Sequence, residues 1–220
     1  MADLFATPNL DHISDTDYEE IYEPSDDSFV FLDSLEMEYS NIRDSKPDII
    51  VEVGPGSGIL STFLSHALNS EQVQITFAVD INQKACSITK QTFEHNNIKY
   101  GEVIQSDLFR CFGHRLMNSI DILLFNPPYV PSPQEELNKK GIEAAWAGGN
   151  DGRVVIDEFL HYIPYLLSSK GRLYLLVEKL NKPQEIIEIL QSFGFIVYIV
   201  HEKQCFNEVI SILCAYRKDL

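Results

Sequence analysis

Asp48-Ile49-Ile50-Val51-Glu52-Val53-Gly54-Pro55-Gly56-Ser57-Gly58 reads as a buried strand that breaks into a glycine loop. Its near-continuous apolar residues suit a parallel strand covered on both faces. A helical pattern from Ile59 to Leu68 follows at once, so the unit is strand, glycine loop, helix, the entry to a nucleotide-type cofactor site in open α/β sheets. The dinucleotide fingerprint Gly-x-Gly-x-x-Gly is not met, because Ile59 stands at its last glycine position; the spacing is Gly-x-Gly-x-Gly. Glu52 narrows the ligand. A carboxylate in a buried apolar run is costly unless it meets a positive or hydrogen-bonding partner. An ammonium group on the ligand supplies one, whereas a pyrophosphate would be repelled. Glu52 therefore favours S-adenosylmethionine, with its amino-acid end, over NAD. The competing reading pairs Glu52 with a basic side chain of the protein.

Three further strands end in polar residues. Val73 to Val79 runs into Asp80, about where α/β nucleotide folds place the acid that binds a ribose diol. Glu102 to Gln105 runs into Ser106-Asp107-Leu108, a carboxylate and an apolar neighbour suited to adenine, although Asp107 alone is equally suited to a helix cap or turn. Ile120 to Phe125 runs into Asn126-Pro127-Pro128-Tyr129. If these strands are parallel, Glu52, Asp80, Asp107 and Asn126 line one edge of one sheet. Two successive prolines fix φ and lack N–H groups, so the Pro127 carbonyl and the Asn126 side-chain carbonyl can hold an NH2 group. Tyr129 adds an aromatic face for a planar amide or base. Taken in isolation, the tetrapeptide also reads as a plain proline turn.

Together these segments resemble the class I S-adenosylmethionine-dependent methyltransferases of the HemK family, and more narrowly the eukaryotic and archaeal release-factor glutamine methyltransferases. The resemblance is carried by Tyr22-Glu23-Pro24-Ser25-Asp26-Asp27-Ser28, Glu52 to Gly58, Asp80, Ser106-Asp107-Leu108, Asn126 to Tyr129, and Gly141-Ile142-Glu143-Ala144-Ala145-Trp146-Ala147-Gly148-Gly149. It implies a Rossmann-like, mostly parallel seven-stranded sheet with helices on both faces and the last strand antiparallel. It implies cofactor contacts from Tyr22, Ser28, Glu52, Gly54, Gly56, Gly58, Asp80, Asp107, Leu108 and Asn126. Catalysis falls to Asn126, Pro127 and Tyr129, and Pro128 and Trp146 join them in the substrate pocket. The implied substrate is the Gly-Gly-Gln glutamine of a class I release factor. A small zinc-binding activator protein is the implied partner, seated on an edge strand near Glu102 to Gln105. Pro55 departs from the small residue that relatives often carry, and the bacterial proteins' N-terminal helical domain has no room in this sequence.

The remaining features agree. No linker or repeat divides the 220 residues, so one α/β domain, 1–220, is expected, with an N-terminal extension of about 1–45 over the cofactor site. Asp26 and Asp27 read as helix-start residues before a pattern from Phe29 to Leu35. Later elements are a helix over Arg153 to Leu167, a strand over Leu173 to Val177, a helix over Gln184 to Ser192, and strands over Phe195 to Val200 and Val209 to Ala215. Trp146 is read equally as packed core and as a pocket wall. The cysteines at 86, 111, 205 and 214 form no C-x-x-C pair and the histidines no H-E-x-x-H, so no metal is expected. The first residues lack a basic, apolar leader and no window approaches a membrane helix, which suggests a reducing compartment, the cytoplasm or the nucleus as well.

A net charge of -16 opposes a polyanion such as DNA and suits a cationic cofactor or a basic protein, besides serving solubility. The competing functions are a DNA adenine N6-methyltransferase, a protein lysine (histone) methyltransferase using the same clamp, and a cofactor-binding scaffold.

Overall fold

The computed structural model describes residues 5–68, 73–133, 135 and 145–217. Seven strands form one sheet: β1 (Ile49–Val53), β2 (Ile75–Asp80), β3 (Gly101–Gln105), β4 (Ile120–Phe125), β5 (Leu167–Glu178), β6 (Phe195–Cys205) and β7 (Glu208–Arg217). Their order is β3-β2-β1-β4-β5-β7-β6. The first five are parallel, and β7 runs antiparallel to both neighbours. This is the sheet that the resemblance implies, and β3 is one of its edges.

Every residue of β4 is buried, as its unbroken apolar run requires at the centre of a sheet covered on both faces. Asp121 is the exception in that run, and its carboxylate accepts hydrogen bonds from the Asp48 backbone N–H and the Ser168 hydroxyl. On one face lie α1 (Asp26–Asp44) and α2 (Ile59–Leu68), burying Phe31, Leu35, Phe63 and Leu64. On the other lie the turns around Phe109 and Phe112 with α4 (Val154–Leu160), α5 (Ile163–Leu166) and α6 (Pro183–Ser192). Each fully buried Phe or Leu contributes about 1.5–3 kcal/mol, so both layers stabilise the strand ends where the site lies.

Several boundaries differ from the sequence reading, for physical reasons. α1 continues past Leu35 to Asp44, and its inward face there is partly polar, which hides the helical period in the sequence. Glu38 is buried there, its carboxylate accepting the hydroxyls of Tyr174 at 3.0 Å and Tyr198 at 2.7 Å. The helical stretch after Arg153 is two short helices broken at His161 and Tyr162, just before Pro164, which lacks an N–H to continue the ladder. Leu167 already belongs to β5, and β2 begins at Ile75 rather than Val73. α3 (Gln83–His95) escaped the pattern altogether. Two of its buried residues are Thr89 and Thr92, so its inward face is weakly apolar. The Asn82 side chain caps it by accepting the Lys84 N–H at 2.8 Å.

The N-terminal segment lies across α3. Asn9 and Asn96 exchange two hydrogen bonds, the Asn82 side chain donates to the Glu20 carbonyl, and Ile13 and Ile21 pack on Ala85 and Ile88. This brings Tyr22 to Ser28 over the ends of β1 and β4.

Candidate active site

The carboxyl ends of β1 to β4 open into a cavity of about 770 Å³. The parallel register places Glu52, Asp80, Asp107 and Asn126 on its wall, as the strand-end argument requires. Tyr22 to Ser28 close it from one side, and Cys205 to Glu208 from another.

Glu52 is 2 % exposed, and its Oε2 accepts the Ser61 backbone N–H at 2.9 Å. Among the described residues no basic side chain pairs with it, so the internal ion pair is not the arrangement found. Burial pushes its pKa up to about 7, against the Ser61 hydrogen bonds. Asp80 accepts the Asn82 N–H at 2.8 Å and the Gly56 N–H at 3.3 Å, and burial still pushes it up to about 6. The cavity wall includes Asp26, Asp27, Glu52, Asp80, Asp107, Glu158 and Glu208, and among the described residues no Lys, Arg or His.

The glycine loop accommodates Pro55, with Gly54 and Gly56 at φ +62° and +55°. Gly58, expected to serve the cofactor, does not line the cavity. A Cβ there would press on Thr89 of α3, so its role is close packing of that helix. Asp107 forms an ion pair with Arg110 at 2.8 Å in a turn, and it lines the cavity beside Leu108.

The decisive geometry is at Asn126. Its Nδ2 donates to Asp27 Oδ2 at 3.0 Å, while its Oδ1 is buried and has no partner. A carboxylate only accepts, so Asp27 dictates which way the amide faces. Asp27 itself is 3 % exposed, not a simple helix-start residue, and its Oδ1 accepts the Tyr22 hydroxyl at 3.0 Å and the Ser28 N–H at 2.7 Å. Tyr129 lines the cavity with its hydroxyl donating to Glu208 Oε2 at 3.2 Å. Burial and the nearby Asp27 and Glu208 push that phenol far up, so it stays protonated.

Behind the tetrapeptide, the fully buried Asn181 donates to the carbonyls of Tyr129 at 2.8 Å and Asp151 at 3.0 Å, while its Oδ1 accepts the Glu178 N–H at 2.7 Å. Gly152 sits against the Tyr129 carbonyl where no side chain would fit. Trp146 is half-buried on the cavity wall, and its carbonyl accepts the Val130 N–H at 3.0 Å. Gly141 to Ala144, part of the same motif, lie outside the described residues. Asp27, Asn181 and Glu208 were missed in the sequence. Each sits beside an element boundary, where Asp, Asn and Glu are ordinary.

The methyltransferase HEMK2 of Homo sapiens is 38 % identical over 209 residues, 95 % of each chain. The chain belongs to the HEMK2/Mtq2 family of methyltransferases. The family model for the methyltransferase small domain matches residues 28–207. A second family member, the eRF1 methyltransferase catalytic subunit mtq2 of Schizosaccharomyces pombe, is 35 % identical over 223 residues, 97 % of this chain and 96 % of that one. Among solved structures, the E. cuniculi Mtq2–Trm112 complex responsible for methylation of the eRF1 translation termination factor superposes with a TM-score of 0.66. It is 25 % identical, covering 90 % of this chain and 99 % of the other. The HEMK2/Mtq2 assignment and the class I methyltransferase sheet thus agree.

Proposed function

We propose that this HEMK2/Mtq2-family chain transfers a methyl group from S-adenosylmethionine to the side-chain nitrogen of the Gly-Gly-Gln glutamine of a class I release factor. The observation that carries the reading is Asn126, anchored through Nδ2 on Asp27 and offering a buried, unpartnered Oδ1 to a donor. A primary amide nitrogen supplies such donors. The names of the S. pombe and E. cuniculi relatives support eRF1 as the substrate class.

The cavity fits the cofactor by its donor set. Glu52, buried with no cation beside it among the described residues, suits the ammonium of the amino-acid end, Asp80 the ribose hydroxyls, and Asp107 with Leu108 the adenine; Tyr22 and Ser28 close the site from above. When bound, S-adenosylmethionine supplies a methyl group on a positively charged sulfur, which a wall rich in carboxylates and, among the described residues, free of cations favours.

A glutamine amide is a weak nucleophile, because its nitrogen lone pair is delocalised into the carbonyl. Positioning must therefore supply much of the rate. Asn126 Oδ1 and the Pro127 carbonyl accept the two amide hydrogens and fix the nitrogen's direction. The nitrogen would take the methyl group as the methyl–sulfur bond breaks and the sulfur leaves as a neutral thioether; the positive charge then developing on the nitrogen would be stabilised by the same two acceptors, with the Asp27 carboxylate one hydrogen bond further back. Tyr129, held by Glu208, walls the amide, and Trp146 faces the entering chain. The proton leaves afterwards to water or the acidic surroundings.

The β3 edge, with unpaired backbone groups along Gly101–Gln105, is the proposed seat of the small zinc-binding activator, by strand addition. The experiment is labelled-methyl transfer, with activator present, to the intact release factor, to one with the glutamine replaced, and to histone and DNA. Label only on the intact factor supports the reading. Label on histone or DNA moves the function to a lysine or adenine substrate, and binding without transfer anywhere leaves a scaffold.

A further inference from the structure

We infer that the turn between β6 and β7, with Phe206 at its tip, is a docking element that grips the substrate protein beside the reacting side chain. The inference rests on the reading of the chain as a protein methyltransferase. β6 ends at Cys205 and β7 begins at Glu208, so Phe206 and Asn207 make the turn. Phe206 is 95 % exposed, more than any other large apolar side chain described. A single apolar residue at the surface is ordinary. Three further observations set this one apart.

First, Phe206 adopts a left-handed backbone, φ +49°. A bulky residue there is an outlier, while Gly or Asn adopts the conformation readily, and Asn207 stands one position away. Second, the strain is held in place: the Gln204 side chain donates to the Phe206 carbonyl at 2.9 Å and to the Glu208 carbonyl at 3.0 Å. The two-residue hairpin turn itself calls for φ > 0 at its first central position, which favours Gly; a large exposed apolar ring is kept there against that preference. Third, the turn walls the same cavity as Asn126 and Tyr129, and Glu208 joins it to Tyr129 by hydrogen bond.

The occupant follows from where the ring stands. A small amide held at Asn126 would lie inside the cavity and could not cover a side chain exposed to this degree. A polypeptide that enters the cavity with one side chain must lie across the mouth with its flanking residues, and a preset aromatic ring there is a typical anchor for such a contact. Phe206 therefore acts on affinity for the substrate protein rather than on the methyl transfer itself.

The test compares wild type with Phe206→Ser and Phe206→Trp, each with its activator. Binding of the intact release factor is measured directly with S-adenosylhomocysteine present, alongside KM, kcat and the melting temperature. Phe206→Ser is expected to weaken binding and raise KM about five- to tenfold, with kcat, cofactor affinity and melting temperature unchanged, and Phe206→Trp to restore binding. Unchanged binding and KM in Phe206→Ser would overturn the inference. So would a loss of self-association or of activator binding, either of which assigns the ring to another surface. Failure of the release-factor reading is separately visible, as wild-type transfer to histone alone; the same comparison then runs on histone. Transfer to DNA alone overturns both.

Discussion

Asp27 and Asn126, 99 residues apart in the chain, meet through a 3.0 Å hydrogen bond from the Asn126 amide to the Asp27 carboxylate. Because the carboxylate cannot donate, the amide has one permitted orientation. Asp27→Asn can donate or accept, so it removes that constraint at almost constant volume. Methyl transfer at saturating substrate should fall about ten- to a hundredfold, with the melting temperature little changed. Wild-type kcat in Asp27→Asn would show that Asn126 is oriented by something else.

Asn126→Ala and Asp80→Ala should separate chemistry from cofactor binding. The first removes an acceptor that acts on developing charge, and kcat should drop about a hundred- to a thousandfold while cofactor affinity stays within about threefold. The second removes the carboxylate assigned to the ribose and should weaken cofactor affinity at least about tenfold, as read by calorimetry. The reverse pattern would exchange the two roles.

Acidity offers a third test. Burial raises Glu52 from 4.5 to about 7 and Asp80 from 3.8 to about 6, so the native state holds these protons more tightly than the unfolded chain. Their contribution to stability is full below the unfolded values and is lost as pH rises through the folded ones. Urea unfolding of the free protein should show a fall between about pH 4 and about pH 7, up to about 3 kcal/mol from Glu52, and Glu52→Gln should flatten it. Cofactor affinity has the opposite sign, rising from about pH 6 to about pH 7.5 as Glu52 ionises to meet an ammonium group. A flat affinity profile would remove Glu52 as that partner.

Gly152→Ala tests the rear of the clamp. Gly152 has φ +66°, and a Cβ would collide with the Tyr129 carbonyl that Asn181 holds. Stability should fall by about 3 kcal/mol or more, and the surviving folded fraction should turn over slowly. A variant with wild-type melting temperature and kcat would show that the Tyr129 backbone is free to move.

The β3 edge predicts a partner effect. Expressed alone, the chain should be poorly soluble or weakly active, and co-expression with the activator should rescue it. Equal yield, stability and activity in both states would argue against a seat on this edge.

Much of this site was legible in the sequence because parallel strands deliver their end residues to one edge. Once Ile49–Val53 and Ile120–Phe125 are recognised as buried strands, Glu52 and Asn126 must be close. The partners of those residues were not legible. Asp27 looks like any acid in a first helical turn, and only the tertiary path of the N-terminal segment reveals that it faces Asn126. Asn181 and Glu208 likewise act through hydrogen bonds to residues far along the chain, which leave no periodicity. α3 went unseen because threonines occupy its inward face, and they do so to bond the carbonyls of Gly56 and Ser57.

β7, C-terminal to every other strand, sits inside the sheet between β5 and β6, and its first residue, Glu208, holds Tyr129. Synthesis on the ribosome runs from the N-terminus, so β1 to β6 are complete before the strand that joins β6 to the rest has emerged. Until then the nascent chain has an open gap beside β5 and an unsupported tyrosine in its clamp. Maturation of the site is therefore tied to the synthesis of β7: a polypeptide released before Glu208 lacks both the strand that closes the sheet and the carboxylate that holds Tyr129.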